Sequence, residues 1–119
     1  MTQDELSRAF AALADPTRRD IVARLATRDA SVTELAAPYD VTVQAISKHL
    51  RVLEDAGLVS RSRDAQRRPV HLEGEVLELM TKWIERYRLE AEDRFRRLDA
   101  VLEQREPRTS ERSRRGAAS

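Results

Sequence analysis

The stretch Ser31-Val-Thr-Glu-Leu-Ala-Ala-Pro-Tyr-Asp-Val-Thr-Val-Gln-Ala-Ile-Ser-Lys-His-Leu-Arg-Val-Leu-Glu-Asp-Ala-Gly57 carries two helix signals in close succession. Ser31 and Glu34 have capping-box spacing. In a capping box the serine hydroxyl accepts from the backbone N–H of the glutamate, and the glutamate side chain accepts from the backbone N–H of the serine. The helix that they open is short, because Pro38 interrupts it. This first signal predicts a helix at about 32–38.

The second signal begins at Thr42, a residue type that caps helix N-termini. Apolar side chains then recur at helical spacing, at Ile46, Leu50 and Leu53. Gly57 follows the last apolar turn, where a left-handed residue is favoured. A helix at about 43–55 is predicted, and the two helices together are typical of a helix-turn-helix.

Two further helices are predicted before this stretch. Residues 4–13 place Leu6, Phe10 and Leu13 at helical spacing, and Asp15-Pro16 is a strong start signal for the next helix. After the stretch, residues 58–63 and 69–72 are short extended candidates joined by the polar residues 64–68. We therefore expect a β-hairpin after four helices.

From about residue 75 to 104 the sequence has neither Pro nor Gly, and an apolar residue recurs every seven positions. A helix of this length would be about 45 Å long, more than one small domain covers. It is therefore predicted to pack against a second copy of the chain. Residues 1–104 are expected to form one domain that includes this dimerisation helix, and residues 105–119 a disordered basic tail.

The charges indicate a surface for nucleic acid. The whole chain has a net charge of +1, yet residues 42–72 hold six basic and three acidic side chains. On the helix at 43–55, Gln44, Lys48 and Arg51 lie opposite the apolar face. Gln can bond an adenine edge, and Lys and Arg can reach guanine or phosphate. Arg61, Arg63, Arg67 and Arg68 would line the hairpin beside that helix, placed for phosphates or the minor groove.

Three segments together resemble the ArsR-type winged-helix transcriptional repressors: Ala12-Leu-Ala-Asp-Pro-Thr-Arg-Arg19, Val32-Thr-Glu-Leu-Ala36 and Ala45-Ile-Ser-Lys-His-Leu-Arg-Val-Leu-Glu-Asp-Ala-Gly-Leu-Val59. The resemblance covers about residues 6–104. It implies a mainly α winged helix-turn-helix of order α-α-α-α-β-β-α, a homodimer, and a repressor that leaves its operator when an effector binds. The sequence departs from the family at the wing tip, where Ala65-Gln66 stands in place of Gly-Arg.

The resemblance also assigns roles to individual residues. Recognition-helix positions fall on Gln44, Ser47, Lys48, His49 and Arg51, with Thr42 at the start of the helix, and the wing falls on residues 64–68. The predicted dimer contact consists of apolar residues from the first and last helices: Leu6, Phe10, Leu77, Met80, Ile84, Tyr87, Ala91 and Leu98.

No cofactor or metal is expected. The chain has no cysteine, which excludes thiolate sites, and its two histidines, His49 and His71, lie outside the last helix. With so few groups for acid–base or nucleophilic chemistry, the protein is predicted not to be an enzyme. Trp83 and Tyr87, one turn apart, could line a small-molecule effector pocket, although such a pair is more often core or dimer contact.

The sequence thus predicts a cytoplasmic, homodimeric repressor that binds a palindromic operator in double-stranded DNA and has no membrane segment. The alternative is a winged-helix module that binds protein rather than DNA.

Overall fold

The computed structural model describes residues 2–62 and 68–105. Within these residues, five helices and two strands follow one another in the predicted order. They are α1 (Gln3–Ala12), α2 (Pro16–Leu25), α3 (Val32–Ala36), α4 (Val43–Asp55), β1 (Val59–Arg61), β2 (Val70–Leu72) and α5 (Gly74–Arg105).

The first four helices each begin at a side chain that caps them. Ser31 forms the predicted capping box with Glu34, Asp15 accepts from the backbone N–H of Arg18 with Pro16 in the first turn, and Thr42 accepts from that of Ala45. Thr2 caps α1 in the same way. The helix starts are therefore determined locally, by hydrogen-bond acceptors that satisfy free N–H groups.

α3 is shorter than the sequence predicts, because it ends at Ala36 rather than near residue 38. The backbone N–H of Tyr39 donates to the carbonyl of Ala36 at 3.0 Å, which closes a turn. Pro38 has no N–H with which to continue the helix. The turn leads directly to the Thr42 cap of α4.

β1 and β2 form an antiparallel hairpin in which Val59 pairs with Leu72 and Arg61 with Val70. Both strands are shorter than predicted. Val70 also exchanges two backbone hydrogen bonds with Ala30, at 2.7 and 3.2 Å, so the hairpin is joined to the segment between α2 and α3. Residues 63–67, which include most of the predicted hairpin connection, lie outside the described residues.

The chain divides into two compact units, residues 1–81 and 82–119, with the boundary inside α5. The core of the first unit is aliphatic. Its fully buried large side chains come from α2, α3, α4, β2 and the residue before β1: Ile21, Leu35, Ile46, Leu50, Leu53, Leu58 and Val70. Burial of these side chains is the main source of stability for the unit.

The second unit is described as far as Arg105, the last residue of α5. Arg105, which the sequence analysis placed in the tail, is therefore helical, and the rest of the predicted tail, residues 106–119, lies outside the described part of the chain. Large apolar side chains on this stretch of α5 are exposed: Trp83, Ile84, Tyr87, Leu89, Phe95, Leu98, Val101 and Leu102. Within residues 2–62 and 68–105, no helix is long and apolar enough to cross a membrane.

Candidate DNA-binding surface

α4 has one apolar face and one polar face. Ile46, Leu50 and Leu53 are 0% exposed and anchor the helix in the core. On the opposite side, Gln44, Lys48 and Arg51 are exposed, and Ser47 lies half-buried at the edge. The predicted separation of the two faces is confirmed.

This polar face combines groups that suit a DNA major groove. A glutamine amide can donate to and accept from an adenine edge, and the two cations can reach guanine acceptors or phosphate oxygens. The Thr42 hydroxyl accepts from the backbone N–H of Ala45 at 3.1 Å, so its oxygen serves as the cap of α4. The first turn is thereby ordered at the end where recognition helices contact bases.

His49 points to the corner between α1 and α2. Its Nδ1 atom lies 3.3 Å from an Nη atom of Arg18 and 3.8 Å from Oδ2 of Asp15, and its side chain is 28% exposed. The sequence predicted a DNA contact for His49. The structure gives its ring protein partners on another part of the fold.

That corner is a cluster of helix caps built by Asp15, Arg18 and Arg19. Arg18 donates to the carbonyls of Ala12, at 2.6 Å, and Ala11, at 3.3 Å. Arg19 donates to the carbonyls of residues 13 and 14, at 2.8 and 3.0 Å. The backbone N–H of Arg18 donates to the Asp15 carboxylate, and this hydrogen bond is the main reason that the pKa of Asp15 lies below its usual value. Cations thus cover the negative end of α1 while an anion covers the positive end of α2.

The role of Arg18 was not predicted from the sequence, where Arg18 appeared only as part of the segment 12–19 that carries the family resemblance. Arg18 is 31 residues from His49 along the chain, and helical periodicity gives no information on contacts at that separation. The sequence does offer a local indication of capping here. Asp15-Pro16 predicts a helix boundary, where backbone groups need hydrogen-bond partners.

The hairpin cations are placed differently from one another. Arg61 Nε lies 3.4 Å from the Glu54 carboxylate on α4, and its side chain is 29% exposed. Arg68 is exposed and adopts a φ of +36°, in the left-handed region. Arg63 and Arg67, also predicted to contact DNA, lie outside the described residues.

His71, on β2, pairs with Asp29 in the segment between α2 and α3. Its Nδ1 atom is 2.8 Å from the Asp29 carboxylate, and both side chains are about half exposed. In the part of the chain that the structure describes, no three His, Cys, Asp or Glu side chains are grouped as metal ligands.

The residues predicted for the dimer contact fall into two classes. Leu6, Phe10 and Leu77 are partly buried against the core of the first unit. Met80 is 4% exposed and belongs to that core, so its assignment to a dimer contact needs correction. In the second unit Ile84, Tyr87, Ala91 and Leu98 are exposed. The ring centroids of Trp83 and Tyr87 lie 4.7 Å apart there.

The chain is similar to known transcriptional regulators. A family profile described as a helix-turn-helix domain matches residues 13–61. The HTH-type transcriptional regulator YuzN of Bacillus subtilis is 42% identical over 64% of this chain and 91% of its own length. The transcriptional repressor SdpR of the same species is 30% identical over 66% of this chain and 88% of its own length.

A solved structure is also similar. It is an ArsR-like transcriptional regulator from Rhodococcus sp. RHA1, with a TM-score of 0.70 and 33% identity, covering 87% of this chain and 93% of that one. The residues matched by the helix-turn-helix profile contain both α3 and α4. The matched domain therefore includes the polar face described above.

Proposed function

Since this chain belongs to the ArsR family of winged helix-turn-helix transcriptional regulators, we propose that it is a homodimeric repressor that binds operator DNA through α4. The observation that carries the proposal is the outward face of α4, where Gln44, Lys48 and Arg51 are exposed on a helix whose other face is fully buried. The proposed activity is binding without catalysis, and its place is the cytoplasm.

In this proposal the bases are read by α4 and the phosphates are held by the hairpin. Gln44 and Ser47 present uncharged donors and acceptors to base edges, and Lys48 and Arg51 reach guanine or the backbone. Arg68 is exposed at the start of the segment leading into β2. Arg61 is held beside Glu54, so its charge is partly compensated and we give it a lesser share in phosphate binding.

The exposed apolar side chains of α5 support the homodimer. Ile84, Tyr87, Ala91, Phe95, Leu98 and Leu102 recur every three or four residues, which places them on one helix face. A partner helix would remove this face from water at about 25 cal/mol per Å² of apolar area. Leu6, Phe10 and Leu77 stay in the proposed contact as partly buried contributors.

A two-fold dimer sets the form of the operator. Two copies of α4 related by such an axis would read half-sites about one helical turn of DNA apart, roughly 34–36 Å. The operator is therefore proposed to be an inverted repeat. SdpR, which is similar over most of its length, is named a transcriptional repressor, and this supports repression as the outcome of binding.

The test begins with the wild-type protein selecting duplexes from a random-sequence DNA library. We expect an inverted repeat to be enriched; this sequence is the selected duplex below, and a scrambled version is its non-specific counterpart. Changing Gln44, Lys48 and Arg51 together to Ala should weaken binding to the selected duplex by roughly 1–3 kcal/mol for each interaction with a base that the variant removes.

The matched control is Arg96→Ala with Arg97→Ala. These cations lie on α5, where they pair with Glu92 and Asp93. The control removes two positive charges, the same number as the triple variant removes at Lys48 and Arg51. It should bind the selected duplex as the wild type does. A folded triple-Ala protein with undiminished affinity, or a selection that enriches no sequence, would refute the proposal.

A further inference from the structure

The guanidinium of Arg18 joins the end of α1 to α4. Its Nε atom donates to the carbonyl of Ala12 at 2.6 Å and one Nη atom to that of Ala11 at 3.3 Å. The other Nη atom lies 3.3 Å from Nδ1 of His49 on α4. One side chain of α2 therefore bonds both α1 and α4, and its partner on α4 lies 31 residues further along the chain.

The chemistry fixes the direction of the contact with His49. A guanidinium has donors and no acceptor, so Nδ1 of the imidazole is the acceptor in this hydrogen bond. Asp15 lies on the same side, with Oδ2 at 3.8 Å from Nδ1. Since Asp15 also accepts from the backbone N–H of Arg18 at 3.0 Å, the start of α2 holds Arg18 in place.

The hydrogen bond between Arg18 and His49 restrains a motion that apolar packing permits, the rotation of α4 about its own axis. Ile46, Leu50 and Leu53 hold α4 in the core, but apolar contacts are non-directional and tolerate a small rotation of the helix about its axis. A hydrogen bond weakens steeply when its angle changes. His49 is adjacent to Lys48 in sequence, so a rotation that breaks its bond to Arg18 also moves the outward face.

We propose that Arg18 is a positioning residue for operator recognition, which acts through His49 to fix the rotation of α4 without touching DNA. The inference rests on the proposed function, because it concerns the same face of α4. It assigns to Arg18 an effect on specificity. Base contacts need Gln44 and its neighbours held to about half an ångström, whereas phosphate contacts by flexible cations tolerate larger displacements of the helix.

The experiment compares affinities for the selected duplex and the scrambled duplex, each over a range of salt concentrations. Arg18→Ala should bind the selected duplex about tenfold more weakly, the order expected of one hydrogen bond to a charged group. Affinity for the scrambled duplex and the salt slope should stay as in the wild type. If Arg18 instead bound phosphate, both affinities would fall and the slope would decrease by about one, which would overturn the inference.

The matched control is Arg19→Ala. Arg19 also covers carbonyls after α1, those of residues 13 and 14, and its replacement removes the same charge from the adjacent position. It should leave the ratio of the two affinities unchanged. An equal fall of the ratio in Arg19→Ala would mean that capping alone is responsible and would overturn the inference.

Two variants test the route through His49. His49→Gln keeps an acceptor for Arg18 and should retain the affinity ratio, whereas His49→Leu should lower it as far as Arg18→Ala does. The double variant Arg18→Ala/His49→Leu should be no worse than either single variant, because both break one interaction. Losses that add in the double variant would show that Arg18 acts by another route.

Arg18→Lys covers the case in which Arg18→Ala does not fold. A lysine keeps the charge near the end of α1 but lacks the planar fork that reaches two helices, so it should fold and still have a lowered affinity ratio. If the wild type shows no preference for any duplex, the proposed function fails. If the wild type shows a preference and the folded Lys variant keeps it in full, this inference alone fails.

Discussion

Single side chains at helix ends determine much of the geometry at the residue scale. Thr42 begins α4, Asp15 begins α2, and Arg18 completes the end of α1. Each satisfies backbone groups that a helix leaves without partners. The orientation of the candidate surface therefore depends on polar residues that lie beside it and that contact the backbone.

Gly57 lies at a position where the backbone is left-handed, a conformation that favours glycine. Its φ is +76°, and a Cβ atom built on it would lie 3.2 Å from the Cγ2 atom of Val76. Gly57→Ala should therefore lower the free energy of unfolding by about 1–2 kcal/mol, the cost of a left-handed residue with a side chain. Urea unfolding of the variant and the wild type measures this difference.

The control for Gly57 is Gly74→Ala. A Cβ atom at Gly74 would have nothing within 4 Å, and the position is the first of α5. Its urea midpoint should equal or slightly exceed that of the wild type. Equal midpoints for all three proteins would show that the conformation of Gly57 carries no cost.

At the scale of the elements, the helices could be predicted because their signals are local. Each signal lies within about three helical turns of the helix that it determines: Ser31 with Glu34, Asp15 with Pro16, and Thr42 with the apolar residues of α4. The burial of Ile46, Leu50 and Leu53 followed from the same periodicity.

Contacts between distant segments could not be predicted in that way. The bond between Arg18 and His49 and the pair of Arg61 with Glu54 depend on how elements pack, and a helical repeat does not encode their partners. Met80 shows the same limit: periodicity placed it on an apolar face of α5, and tertiary packing decided that this position is core.

The hairpin is joined to the segment before α3 by one side-chain pair that depends on pH. Hydrogen bonding to Asp29, and attraction to its charge, raise the pKa of His71 above its ordinary value of 6.5. The charge of Glu73 acts in the same direction. The folded state therefore holds the His71 proton more tightly than the unfolded chain does.

The contribution of this pair to stability should be complete below about pH 6.5 and should disappear as the pH rises through the raised pKa. Asp29→Asn should move the NMR titration midpoint of His71 to lower pH and flatten this part of the stability profile. Asp40→Asn, at an exposed aspartate before α4, should leave the midpoint unchanged. A midpoint that stays in place in Asp29→Asn would contradict the assigned cause.

At the scale of the whole molecule, α5 carries both ion pairs and an exposed apolar face in the second unit. Arg88 pairs with Glu85 and Glu92, and further ion pairs join residues four apart along the helix. Each exposed pair adds little stability. The apolar face has large exposed residues and, in the proposal above, is where the second copy binds.

Ile84→Glu should therefore give a folded monomer with weakened binding to the selected duplex. Ile84 is 50% exposed in the single chain, so a glutamate there remains in water when the chain is alone. In a dimer it would be buried without a partner, which is strongly unfavourable. Sedimentation at micromolar concentration compares the association state of the variant with that of the wild type.

Leu89→Glu is the matched control, since Leu89 is 49% exposed and lies about 140° around the helix from Ile84. It should remain dimeric. A dimeric Ile84→Glu protein with full DNA affinity would place the contact between copies on another part of the chain, and a monomeric wild type would remove the homodimer and its inverted repeat.

In the proposed homodimer, Trp83 would serve as an intrinsic optical reporter of assembly. It is the single tryptophan of the sequence, its side chain is 41% exposed, and its ring lies beside that of Tyr87 on α5. Indole fluorescence moves to shorter wavelength when the ring leaves water, so contact with a second chain at this position would shift the emission. The emission maximum of the unlabelled protein, measured over a dilution series, would then give the dissociation constant of the dimer.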